Sequence, residues 1–210
     1  MSFLVKICGI TRPEDARQAV AAGADLIGLN FWRGSERFVE DKQAHEIVAA
    51  IPAGVLRVGV FVNAHPLVVT ETMAELKLDR VQLHGDEIAS SWDWLRPDQI
   101  IRAVRVRDQA SLKDALAWEA GLFLYDSHAD GYGGTGQRAP WDVVAAGARR
   151  PFLIAGGLNA SNVAEAIAAT RPDGVDVSSG VESARGIKDL RKLRAFIKQA
   201  RAAAAKLKVS

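Results

Sequence analysis

Short apolar runs alternate with helix-patterned segments along the whole chain. Phe3 to Cys8, Asp25 to Phe31 and Val55 to Val62 are dense in Val, Ile, Leu and Phe, the composition of strands buried on both faces. Arg80–Leu83, Gln99–Val106, Gly121–Asp126, Pro151–Ala155 and Gly174–Val177 extend the series to eight. Segments rich in Ala, Leu, Glu and Lys separate them and carry a helical period. The first helix has a legible start and stop. Thr11 stands as N-cap with Glu14 three residues on, in the manner of a capping box, and Gly23 terminates it. The last helix is predicted from about Ile187 to Lys206.

Strand-then-helix units with near-continuous apolar strands imply a parallel sheet covered by helices, the α/β class. Eight units suit a closed (β/α)8 TIM barrel, and 210 residues lie near the lower size limit for that fold. An open doubly wound sheet would give a similar string, and periodicity alone leaves both standing. No linker, low-complexity tract or charge block divides the chain, so residues 1–210 are expected to form one domain. Composition adds exclusions: 27 basic and 25 acidic side chains leave a formal charge of +2, which gives no reason to expect a nucleic-acid partner. The single cysteine, Cys8, has no intrachain disulfide partner. No apolar stretch approaches the ~18–20 residues of a membrane helix, and the opening run meets Lys6 too early for a signal-peptide core. The expectation is a cytoplasmic enzyme without membrane contact.

Polar and glycine-rich segments fall just after strands, where a (β/α)8 barrel builds its active site. The segments are Lys6 to Thr11, Asn30 to Phe38, Phe61 to Asn63, Gln82 to Gly85, Arg105 to Arg107, Asp126 to Gln137, Ala155 to Leu158 and Asp176 to Glu182. Gly156-Gly157 and Ser178-Ser179-Gly180 follow strands seven and eight, the recurrent phosphate site of such barrels, where glycine lets backbone N–H groups approach an anion. Tight turns alone would also use glycine, but two such loops at those two strands favour Gly156, Gly157, Ser179 and Gly180 as a phosphate cradle.

KICGIT, S-x-R-F at Ser35 to Phe38, QLHGDE, a strand ending in Asp126 before GGTGQ, AGGL-x-x-x-NV and DVSSGVE occur in this order over nearly the whole chain. The set resembles the signature of the phosphoribosylanthranilate isomerase family, and the resemblance favours the barrel over the open sheet. The implied reaction is an Amadori rearrangement in tryptophan biosynthesis. An acid protonates the ring oxygen of an N-(5-phosphoribosyl) aromatic amine, and a base then removes the proton from ribose C2. The iminium is its own electron sink, so no cofactor and no metal is implied.

The resemblance places the base at Cys8, otherwise an ordinary small buried residue, and the acid at Asp126, otherwise a loop cap or ion-pair partner. Lys6 or the substrate cation would favour the Cys8 thiolate. Arg37, which could equally be a surface arginine like Arg33, matches the family's clamp on the anthranilate carboxylate. Asp176 is expected to bond the substrate's sugar or amine, while Gln82 and His84 are expected at the mouth, His84 having an equally good structural reading. His45, His65 and His128 have no metal-ligand spacing.

Other features have plainer readings. Gly131 to Gln137 is a candidate flap or a plain flexible loop. Trp32-Arg33-Gly34 and Arg138-Ala139-Pro140 depart from the family pattern. The five tryptophans are read as packing residues, and the basic stretch Lys188 to Lys208 as a solvated helix face. Two rivals are weighed. A related phosphate-binding lyase or ribotide isomerase would want a catalytic lysine and glutamate on early strands, or an aspartate at the end of strand one in place of Cys8. A non-catalytic phosphosugar-binding barrel would have no need of Cys8 or Asp126. The expected partner is a small phosphoribosyl substrate, with the chain a monomer or homodimer.

Overall fold

Eight parallel strands close on themselves in sequence order, with the last hydrogen-bonded back to the first. They are β1 (Leu4–Ile7), β2 (Leu26–Asn30), β3 (Leu56–Phe61), β4 (Arg80–Leu83), β5 (Ile100–Val106), β6 (Leu122–Ser127), β7 (Phe152–Ile154) and β8 (Gly174–Val177). Each lies within a residue or two of the run predicted for it. The computed structural model describes residues 2–127 and 140–207. The expected flap at Gly131 to Gln137, together with His128, Arg138 and Ala139, lies outside the described residues.

Side chains alternate between two cores, as the period of a strand requires. Leu4, Leu26, Leu56, Val58, Ile101, Ala103, Leu122, Leu124, Leu153 and Ala155 fill the barrel interior. The alternate residues, such as Val5, Ile7, Ile27, Leu29, Phe123 and Tyr125, face the surrounding helices. Those helices are α1 (Pro13–Ala22), α2 (Asp41–Ala49), α3 (Pro66–Leu76), α4 (Trp141–Gly147), α5 (Val163–Thr170) and α6 (Leu190–Leu207). On α6, Leu193, Phe196, Ile197, Ala200 and Ala204 are buried at helical spacing. Among the described residues no helix is long and apolar enough to cross a membrane.

Three local predictions are corrected. Arg12, not Thr11, is the N-cap of α1, and no side chain caps it; Pro13 supplies the preset first turn. The Thr11 hydroxyl instead donates to the Gly186 carbonyl at 2.5 Å, a partner remote in sequence. The last helix begins at Leu190, because Ile187–Lys188 form a strand, β10, paired antiparallel with β9 (Glu182–Ala184). Lys188 therefore leaves the solvated helix face assigned to it: it is 4% exposed, and its ammonium lies on Glu182. Finally, the connections on either side of β5 are 3-10 turns (Ala89–Trp92, Pro97–Gln99 and Gln109–Ala117) rather than α-helices. Ser90, Ser91 and Asp93 compete for backbone bonds and Pro97 stops any helix approaching it, while buried Trp92 and Leu95 pin the segment to the barrel.

Candidate active site

The alternation that fills the barrel continues beyond its apolar layers to the carboxyl ends of the strands, where the same inward positions turn polar. Lys6 and Cys8 follow Leu4, Gln82 and His84 follow Arg80, Asp126 follows Leu124, and Asp176 and Ser178 follow Gly174. Cys8, Asn30, Trp32, Arg37, Gln82, His84, Asp126 and Asp176 line one cavity of about 400 Å³. A hollow of about 60 Å³ is lined by Gly156, Gly157 and Ser179 and shares Asp126, Asp176 and Ser178 with the larger cavity. The two spaces adjoin across the two aspartates.

Register sets the first charge pair. Lys6 and Asp176 are direct neighbours across the β1–β8 seam, and their side chains meet at 3.0 Å. Lys6 is wholly buried. An ammonium so placed would cost several kcal/mol without a partner, about what loss of one member of a buried pair costs. Gly28 on β2 makes the room: a Cβ there would stand 2.8 Å from the Cys8 sulfur and 3.3 Å from Lys6 Cε. Burial raises the Cys8 pKa above the ordinary thiol value, and the Asp176 charge adds to that, while Lys6 and then Lys188 pull it back in part. The cysteine thus sits as a thiol beside a cation that will stabilise its thiolate once a proton acceptor is needed.

Asp126 is the opposite case. Burial first, and the Asp176 charge second, raise its pKa to about 6, against the Ser127 hydrogen bonds and Lys6. A carboxyl with its pKa raised this far keeps a minor protonated fraction at neutral pH, enough to serve as an acid. Across from it, burial lowers the His84 pKa to about 3, with Lys6, Arg102 and Arg105 adding to the effect, so the imidazole is neutral. The Gln82 amide nitrogen lies 2.9 Å from His84 Nδ1; with that nitrogen donating, the ring proton is on Nε2, 3.6 Å from Asp126 Oδ2 and too far for a hydrogen bond. Among the described residues, His84 Nε2 and Gln82 Oε1 are buried without a hydrogen-bond partner. Two unpaired polar atoms in a cavity wall are places for a ligand's polar groups.

Arg37 reaches the cavity from the loop after β2. Its guanidinium forks onto Glu182, with Nε to Oε1 and Nη2 to Oε2 both at 2.7 Å. The fork uses two of the five N–H groups that a guanidinium carries. Arg33, the alternative in the same loop, stacks over Phe38 at 5.0 Å instead. Burial works against the Glu182 carboxylate, but the Arg37 fork and Lys188 outweigh it and hold its pKa below the usual range.

At the glycine loops, Gly156 and Gly157 take φ values of 84° and 59°, the left-handed region that favours glycine. The short turn Ser179–Val181 closes through Val181 N–H to the Ser178 carbonyl and Glu182 N–H to the Ser179 carbonyl, which leaves the N–H groups of Ser179 and Gly180 outside its bonds. Gly180 does not line the hollow; it packs directly on the Leu158 carbonyl and joins the two loops.

The remaining motif residues have structural work. Glu87 of QLHGDE accepts from the backbone of Asn63 and Gly85 and pairs with buried Arg102 at 2.6 Å. Trp92, Trp118 and Trp141 are buried as expected and Trp94, 45% exposed, packs its ring against Trp92 at 6.1 Å, but Trp32 lines the cavity, so the packing reading fails there. His45 pairs with Glu75, and His65 caps α3. Among the described residues no cluster suits a metal ion. Sequence reasoning overlooked Glu182, although it closes the DVSSGVE run, and it misplaced Lys188; their only signal was an acidic and a basic residue six apart across a short turn.

Comparison with known proteins adds an independent finding. Residues 5–199 match the family model for N-(5'phosphoribosyl)anthranilate (PRA) isomerase. The chain is 47% identical over 201 residues to the N-(5'-phosphoribosyl)anthranilate isomerase of Pseudomonas fluorescens, covering 93% of this chain and 97% of that one. The crystal structure of phosphoribosyl anthranilate isomerase from Thermotoga maritima superimposes with a TM-score of 0.89 at 38% identity, over 96% of this chain and all (100%) of that one. A phosphoribosyl anthranilate isomerase in complex with reduced 1-(o-carboxyphenylamino)-1-deoxyribulose 5-phosphate gives a TM-score of 0.84 at 35% identity, with coverage of 96% and 100%.

Proposed function

This chain belongs to the N-(5'-phosphoribosyl)anthranilate isomerase family, and from that membership we propose a division of labour in its barrel mouth. The reaction converts N-(5'-phosphoribosyl)anthranilate to 1-(2-carboxyphenylamino)-1-deoxyribulose 5-phosphate, a step of tryptophan biosynthesis. Asp126 gives its proton to the ribose ring oxygen as the C1–O bond breaks, and the amine lone pair forms the iminium. Cys8, its thiol proton having gone to solvent, then takes the C2 proton as a thiolate, the electrons of that bond move to the nitrogen through a new C1–C2 double bond, and the enolamine tautomerises to the ketone. The observation that carries this reading is that Cys8 and Asp126 line one cavity, with a cation beside the first and a pKa raised to about 6 on the second. Loss of the substrate's anthranilate fluorescence in the presence of purified protein tests it, and no turnover would refute it.

Asp176, Gln82 and His84 would face the sugar. The unpaired Gln82 Oε1 and His84 Nε2 supply an acceptor and a donor for its hydroxyl groups. The phosphate would enter the glycine-lined hollow and take N–H groups of Gly157 and Ser179, with Gly180 acting by joining the two loops rather than as a donor. Gly157→Val is expected to raise KM for the substrate by about tenfold, because a branched side chain is strained at positive φ and crowds the cradle. A KM equal to wild type would place the phosphate elsewhere.

Arg37 would meet the anthranilate carboxylate. Arg37→Ala is expected to lower kcat/KM by roughly 10- to 150-fold, the equivalent of roughly 1.5–3 kcal/mol for a hydrogen bond to a charged group. Steady-state kinetics at matched pH checks this, and an unchanged kcat/KM would move the clamp off Arg37.

A further inference from the structure

Arg37 is held at both ends. Its stem lies along Gly9, where φ is +68° and where a Cβ would come within 2.4 Å of Arg37 Cδ and 3.3 Å of Cγ. Any side chain at position 9 would push the arginine off this path. Its head is gripped by the Glu182 fork, the geometry in which a guanidinium and a carboxylate bind most strongly. Glu182 Oε1 also takes Lys188 Nζ at 2.8 Å, and Lys188 donates to the Ser178 carbonyl at 3.2 Å. Glu182 and Lys188 face each other across the β9–β10 hairpin, which is clipped to the first βα unit by Thr11 to the Gly186 carbonyl and by Lys188 N–H to Asp15.

The charges are as specific as the contacts. A lone Glu182 would hold Arg37 but cancel its charge, and a lone Arg37 would keep its charge but have no fixed direction. Lys188 resolves the conflict: two cations share one anion, so the buried cluster keeps one net positive charge and Arg37 keeps its aim.

We propose that Gly9, Glu182 and Lys188 form a seat that fixes the direction of Arg37, making the β9–β10 hairpin a specificity determinant for the carboxylate on the substrate's aromatic ring. These are positioning residues, acting through Arg37. The inference rests on the reading that Arg37 meets that carboxylate.

Two substrates separate the possibilities: the condensation products of ribose 5-phosphate with anthranilate and with aniline, the second lacking the carboxylate. The quantity read is the ratio of kcat/KM for the first to that for the second, in wild type, Arg37→Ala, Glu182→Gln and the double variant Glu182→Gln/Lys188→Met. The double variant keeps the cluster's single net positive charge and avoids two unpaired buried cations, so it loses the seat without changing the charge or leaving a cation stranded. The ratio is expected to fall by about tenfold in both Glu182 variants, the order expected for a misdirected charged contact, and further in Arg37→Ala. A loss falling equally on both substrates would mark Glu182 as merely structural and overturn the proposal. So would a rise in the ratio in Glu182→Gln, because charge rather than direction would then govern recognition. A ratio that falls in Arg37→Ala but in neither Glu182 variant overturns the seat and keeps the clamp. A ratio unmoved by Arg37→Ala overturns both.

Discussion

Replacing Cys8 by serine is expected to lower kcat by about 10²–10⁴-fold, the range for loss of a general base, with the fold and melting temperature little changed. The size is nearly the same and the space beside Gly28 and Lys6 is kept. What changes is basicity: Lys6 can favour a thiolate at this position, but a hydroxyl at neutral pH stays protonated beside the same cation. Substrate deuterated at ribose C2 makes the role specific. With a weaker base, removal of the C2 proton becomes the slow step, and the isotope effect on kcat should grow. Near-normal turnover in Cys8→Ser would return the cysteine to a packing role, and Asp176, which lines the same cavity, would be the next base to test.

Asp126→Asn is expected to cost a similar about 10²–10⁴-fold, and its pH dependence carries the diagnosis. In the folded protein the Asp126 pKa lies at about 6, raised chiefly by burial. Below that value the carboxyl holds the proton it must donate; above it the proton is lost. The advantage of wild type over Asp126→Asn, as a ratio of kcat/KM, should therefore be level below about pH 6 and fall above it by about tenfold per pH unit. Taking the ratio cancels the ionisation of the substrate phosphate, which titrates in the same range, and most of the Cys8 titration, which both proteins share. The same variant should shrink the C2 isotope effect, since ring opening becomes the slow step. A ratio that stays level across the titration of Asp126 would show that its proton is not the one transferred.

The eight strands were legible because each is a local statement. A run such as Leu122 to Asp126 or Gly174 to Val177 is buried on both faces, and burial on both faces writes an uninterrupted apolar string. That Cys8, Asp126 and Asp176 end such strings on the inward side was also local, but their strand ends alone left Cys8 an ordinary buried residue and Asp126 a loop cap, and it was the family resemblance that singled them out. The glycine loops after β7 and β8 were legible because their backbone demands a residue type. Where prediction failed, a distant partner had decided the outcome. Thr11 has every local mark of an N-cap, yet its hydroxyl serves Gly186, 175 residues on. Lys188 reads as the first charge of a basic helix and is instead buried on Glu182.

The sequence by itself determined the order and type of the strands and the polar residues that end them, since strand period and burial act over a few neighbouring positions. Only the tertiary structure decided which charges meet. Closure of the barrel brings Lys6 beside Asp176, and the β9–β10 hairpin brings Glu182 between Arg37 and Lys188. Burial first, and then the Lys6 and Asp176 charges, bear on the protonation of Cys8, and Glu182 gives Arg37 its direction, because charge interactions and desolvation depend on distance and burial, and neither is written in the spacing of residues along the chain.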